Sequence, residues 1–206
     1  MATTLDVYPR LAEIPPYQDI LDLSTQRLCE RLKELGIDSV PAIQVNLHST
    51  NPDTVRAVDV RTPARWGDSE YAWFFVDTMP GGTDAYFRSV GQSDREVWAD
   101  ENLDEHLLLQ ERAAQIRACL DNGYYWYFRR SAGQPAIINL AYGLIAASVA
   151  ELTNGFIYSD DGAWDFERFP AIPEEFYTWY FRPEMALDPD SKEWAERNIS
   201  HLSEGL

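Results

Sequence analysis

A chain of 206 residues, 45% hydrophobic and 13% aromatic, holds enough apolar material for one well-filled core and too little length for two, which excludes a disordered acidic polymer. Its 34 acidic against 17 basic residues give a net charge of −17, which repels nucleic-acid phosphates and anionic lipid heads and steers basic partners toward it. Thirteen of the acids but only four of the bases follow position 150, so over half of the excess falls in the last quarter of the chain.

Taken in chain order, the first sixteen residues are neither basic nor continuously apolar, so they do not read as a secretory signal and a cytoplasmic protein is expected. A helix is expected over residues 18–35, with Leu21, Leu28, Leu32 and Leu35 on one face and Gly36 to end it. After Pro41 the period changes to two. Ile43, Val45 and Leu47 alternate into the Asn51-Pro52-Asp53 turn, and a partner strand runs through Val58 and Val60. Residues 71–77, containing Trp73, Phe74, Phe75 and Val76, read as a strand in mid-sheet that is covered on both faces. Pro80-Gly81-Gly82 turns into a fourth, antiparallel strand through Tyr86, Arg88 and Val90.

Asn102 and Glu105 have capping-box spacing ahead of a helix that buries Leu109, Ala113, Ile116 and Leu120 and stops at Gly123. Residues 124–130 form an aromatic strand. Pro135 then opens an uncharged helix through Leu140, Leu144 and Val149 to Leu152, apolar enough for a core but interrupted by Asn139 and Ser148. Phe156, Ile157 and Tyr158 read as a short strand, Asp161-Gly162 as a hairpin turn, and Trp164 as the start of the return. A helical turn near residues 174–179 and a last helix over 191–202 follow, with residues 183–206 an acidic C-terminal extension of the single domain. Hairpins interspersed with helices predict an α+β fold: a mainly antiparallel sheet in a two-layer sandwich, with helices packed on one face and the two long helices beyond residue 100 lying there together.

Few motifs name a chemistry. His48, His106 and His201 are mutually isolated, and Cys29 and Cys119 fall among leucines in helical patterns, so neither a zinc site nor a reactive thiolate is indicated. Phosphate-loop, nucleophile-elbow and dinucleotide fingerprints are absent, and no cofactor, metal or catalytic residue is assigned. Y-x-W-Y-F-R occurs at residues 124–129 and again at 177–182; with unlike flanks, this reads as convergent aromatic packing. The turn that holds Asp160, Asp161 and Asp165 lacks the ligand register of a calcium loop. Interleaved with Trp164, Phe166 and Phe169, these carboxylates suit a contact surface that attracts a cationic partner and then buries aromatic anchors. The expected partner-binding set is Asp160, Asp161, Trp164, Asp165, Glu167, Trp179 and Arg182.

In size, acidity, lack of a signal sequence and the helix-hairpin segment 137–165, the chain resembles the immunity proteins of bacterial polymorphic-toxin, contact-dependent and type VI secretion systems. That resemblance implies a cytoplasmic, non-enzymatic inhibitor that neutralises a cognate secreted toxin by covering its active or substrate-binding surface, with no role for free nucleic acid or membrane. Two alternatives stand beside it. One is a hydrolase or transferase using the carboxylates from Asp160 to Glu167 with Arg129 or Arg130. This requires a concave pocket that holds carboxyl groups of raised pKa. The other is an acidic nucleic-acid mimic or a structural subunit.

Overall fold

The computed structural model describes residues 2–100 and 107–204. Seven strands form one sheet, β1 (Thr3–Tyr8), β2 (Ile43–Thr50), β3 (Asp53–Ala57), β4 (Glu70–Val76), β5 (Thr83–Ser89), β6 (Tyr124–Arg130) and β7 (Phe156–Tyr158). Their spatial order is β3-β2-β4-β5-β6-β1-β7, and every neighbouring pair is antiparallel. The helices among the described residues are α1 (Tyr17–Glu34), α2 (Gln92–Asp100), α3 (Leu107–Leu120), α4 (Ala136–Leu152), α5 (Pro173–Trp179) and α6 (Pro189–Ser200). The α+β class and the antiparallel sheet are as expected.

The period-two pattern sets the register. Leu5 and Val7, Val45 and Leu47, Ala72 and Phe74, and Trp126 and Phe128 all turn to one face and are buried there. Across that face lies α4, in which every residue from Ala136 to Ala150 is buried. A helix apolar on all sides needs cover on all sides. The sheet supplies it below and α1, α5 and α6 supply it around the flanks. In α1 the buried side chains are Tyr17, Ile20, Ser24, Leu28, Arg31 and Leu32, and Gly36 follows its end at φ +77°.

Gly143 of α4 makes one contact of this layer possible. A Cβ there would lie 2.2 Å from the ring of Tyr180, whose hydroxyl donates to the Asn139 carbonyl at 2.7 Å. Gly143→Ala gains about 1 kcal/mol of helix propensity but evicts a buried ring from its seat, which costs about 3 kcal/mol. The expected result is a net loss near 2 kcal/mol in urea unfolding.

Four expectations need correction. α3 does not lie beside α4. It packs with α2 on the opposite face, where Ile116, Cys119 and Leu120 form a second small core with Tyr8, Trp98 and Phe156. The helices therefore occupy both faces at the β6-β1-β7 end, a third layer added to the two that were expected. Second, β4 is in mid-sheet but is covered on one side only: Ala72, Phe74 and Val76 are buried while Tyr71, Trp73 and Phe75 are half-exposed. Third, no tight hairpin forms at Asp161-Gly162: the chain passes through a 3-10 turn, Phe166–Arg168, and returns to β7 only at a single antiparallel bridge between Ile157 and Ala171. Fourth, β3 ends at Ala57, so Val58 and Val60 lie beyond the strand expected to run through them. In the acidic C-terminal segment Ala195 and Leu202 are fully buried and α6 packs on α4. Asn102, Glu105 and His106, and the side chain of Leu109, lie outside the described residues.

The two Y-x-W-Y-F-R segments adopt different structures. The first is β6, while the second ends α5 and turns out of it, with Phe181 at φ +58°. Both bury their central aromatics, Trp126 and Phe128 in one and Trp179, Tyr180 and Phe181 in the other. They are convergent packing, not a duplicated unit.

Candidate functional site

The sequence-derived contact residues scatter by burial. Trp164 and Trp179 are 3% and 4% exposed, stacked at 6.3 Å on one another and closed in by Phe169, Phe176 and Tyr180. These indoles are core and cannot anchor a partner. Asp165 is buried as well, its carboxylate accepting from the backbone N–H of Leu187 at 2.7 Å, the N–H of Asp188 at 3.1 Å and Arg168 Nε at 3.4 Å. It ties the segment before α6 to the 3-10 turn. Arg182 is half-buried and donates to Glu34 at 2.6 Å and to the Tyr177 carbonyl. Asp160 and Glu167 are exposed.

Asp161 has another task. Its carboxylate accepts from the Thr4 backbone N–H at 2.9 Å, the Thr4 hydroxyl at 2.8 Å and the Ser159 hydroxyl at 3.2 Å. β7 stops at Tyr158, so a carboxylate takes over the pairing of β1 where the strand has run out. This contact brings Asp160 and Asp161 to the rim of the sheet's second face.

That face carries a surface the sequence reading missed. Beyond the patch covered by α2 and α3, no helix among the described residues crosses it. Cross-strand register lines up His48 with Tyr71, Tyr86 with Tyr127, and Tyr127 with Asp6. Ring centroids step along this row at 5.0 Å from His48 to Tyr71, 5.7 Å to Tyr86 and 5.8 Å to Tyr127. A second row runs Asn46, Trp73, Asp84, Arg129 and Thr4, with Arg129 and Asp84 paired at 3.3 Å. A shallow depression of about 360 Å³ between Val55, Trp73, Phe75 and Met79 continues the apolar surface toward β3. Half-exposed tyrosine, tryptophan and phenylalanine on rigid strands give large contact area at small entropic cost.

The electrostatics of this face centre on Asp6. Its Oδ1 is fully buried without a hydrogen-bond partner, and burial first, then the nearby Asp160, Asp161 and Asp94 carboxylates, push its pKa up to about 8. Asp6 is therefore a neutral acid near pH 7, set at the end of the tyrosine row. Burial also raises Asp84, against the pull of Arg129.

The two requirements of the enzyme alternative do not coincide. A cleft of about 490 Å³ lined by Asp165, Glu167, Asp188 and Asp190 lies on the helical side, whereas the raised carboxyls Asp6 and Asp84 point to the other face. The Cys119 thiol is buried and pushed up to about 11, which disfavours the nucleophilic thiolate. Among the described residues no cluster of three or more His, Cys, Asp or Glu side chains has the placement to hold a metal ion. No helix among them is long and apolar enough to cross a membrane.

No protein-family model matches the chain, and neither a curated protein nor a solved structure does.

Proposed function

We propose that the protein is a binding module that docks a basic protein surface on the uncovered part of its sheet, in the manner of an immunity protein that neutralises a cognate bacterial toxin. The observation that carries this reading is the row of rings His48, Tyr71, Tyr86 and Tyr127 on β2, β4, β5 and β6, with Trp73 beside it and Asp160 and Asp161 at its rim. Carboxylates at the rim attract and orient a cationic partner, and the tyrosines and Trp73 then bury against it. This keeps the acidic loop in the role that residue types suggest for it, but moves the aromatic anchors from Trp164 and Trp179 to Tyr71, Trp73, Tyr86 and Tyr127.

Co-expression with a toxin encoded in the neighbouring reading frame tests it. The native chain should restore growth, and Tyr86→Ala with Tyr127→Ala should weaken binding by roughly 30-fold or more, as hot-spot truncation does. Asp160→Lys, an exposed charge at the rim of that face, should slow association and flatten its salt dependence while leaving dissociation nearly unchanged. Killing that persists at saturating native protein sinks the toxin reading. Unchanged affinity in the tyrosine variant, with restored growth, places the contact on another face.

A further inference from the structure

On the helical side of the sheet, away from the aromatic rows, the 490 Å³ cleft opens between residues 162–167 and the first turn of α6. Arg130 lines it and is only 8% exposed. Its guanidinium sits 4.6 Å over the ring of Trp194 and 5.5 Å from that of Tyr142, and its hydrogen bond goes from Nη1 to Asn139 Oδ1 at a long 3.4 Å. Among the described residues no carboxylate pairs with it, although acids outnumber bases two to one, and its neighbour Arg129 does have such a partner. A buried cation without a counter-ion is costly to keep.

A polar group beside it is also unmatched. Trp164, which lines the same cleft, buries its indole N–H without a hydrogen-bond partner. Buried polar atoms in folded proteins are satisfied almost without exception. An unmatched indole N–H and a guanidinium without a counter-ion in one cleft point to a ligand that completes the set. The mouth has the opposite sign, since Glu167 and Asp190 stand exposed there.

We propose that this cleft binds a small zwitterion, with its carboxylate on Arg130, its ammonium toward Glu167 and Asp190, and Trp164 and Trp194 as aromatic walls. A simple anion would have to cross the acidic mouth, and a simple cation would leave Arg130 unpaired and be repelled by it. The volume falls in the range of small-molecule sites and accommodates an amino acid.

The test is calorimetric titration of the full chain with L-lysine, with cadaverine, which lacks the carboxylate, and with hexanoate, which lacks the ammonium groups. L-lysine should bind saturably at one site, at least tenfold more tightly than either analogue, and Arg130→Gln should weaken it by tenfold or more, as loss of a charged hydrogen bond does. Glu167→Gln, on an exposed side chain, should weaken it several-fold without disturbing the fold. Should Arg130→Gln fail to fold, the Glu167→Gln titration and a shift of the Trp164 indole N–H resonance on adding L-lysine to the native chain carry the test. Absence of saturable L-lysine binding, equal binding of either analogue, or unchanged affinity in the variants that fold would each overturn the proposal.

Discussion

Asp6→Asn should stabilise the protein at pH 8 by about 5 kcal/mol and leave it nearly unchanged near pH 4. The native carboxyl keeps its proton up to about pH 8 because of burial and the Asp160, Asp161 and Asp94 charges, while in the unfolded chain it ionises near its ordinary value of 3.8. Between those values the unfolded state binds fewer protons, so this group lowers stability as pH rises through the window. Above pH 8 the folded state must carry a buried charge whose Oδ1 has no partner. Asparagine keeps the shape and removes the titration. Tyr8 and Tyr125, which share this environment, are themselves pushed up by burial and stay neutral throughout the window. Urea unfolding followed by tryptophan fluorescence at pH 4, 6 and 8 measures the effect, and comparison with the variant removes the general repulsion of an acidic chain. Parallel pH slopes for the two proteins would refute the assignment.

The second large effect is expected at Asp165. Its side chain is fully buried and holds two backbone N–H groups and Arg168. Asp165→Ala strands all three donors in the interior, a loss of about 3–5 kcal/mol. The segment before α6 should loosen first, giving new proteolytic cleavage near residues 186–188 before the sheet unfolds. A loss below about 1 kcal/mol, with no new cleavage, would show that the tail is held by its packing on α4 alone. Charge reversal at Asp165 would therefore probe folding, whereas Asp160, exposed at the rim of the uncovered face, reports on partner steering.

What could be read from the sequence was local. α1, the β2-β3 hairpin, β4 to β6 and the uncharged α4 follow from period, caps and turn residues within each segment. β1 escaped notice because Thr3–Tyr8 is short and has a carboxylate at its centre, although the sheet places it between β6 and β7. The Asp161-Gly162 turn was read as closing a tight hairpin, whereas the chain takes a wider path through Phe166–Arg168 before Ala171 bridges back to Ile157. The contact site misled for a similar reason. Trp164 beside carboxylates looks like an exposed anchor in one dimension, and only the stacking with Trp179, Tyr180 and Trp194 reveals core. The row of half-exposed rings draws single residues from four strands, so its pattern exists only in the register.

The placing of β1 between β6 and β7 also constrains how the protein is made. Its partners are Tyr124–Arg130 and Phe156–Tyr158, so after synthesis β1 waits until residues 124–130 are made before it has a neighbour. During that interval β1 has no sheet to join, and Leu5 and Val7 have no core to enter, which exposes the nascent chain to mispairing. Synthesis rate and chaperone supply between residues 130 and 160 should therefore govern the soluble yield more strongly than changes in the α1-β2-β3 segment, which completes its local contacts early.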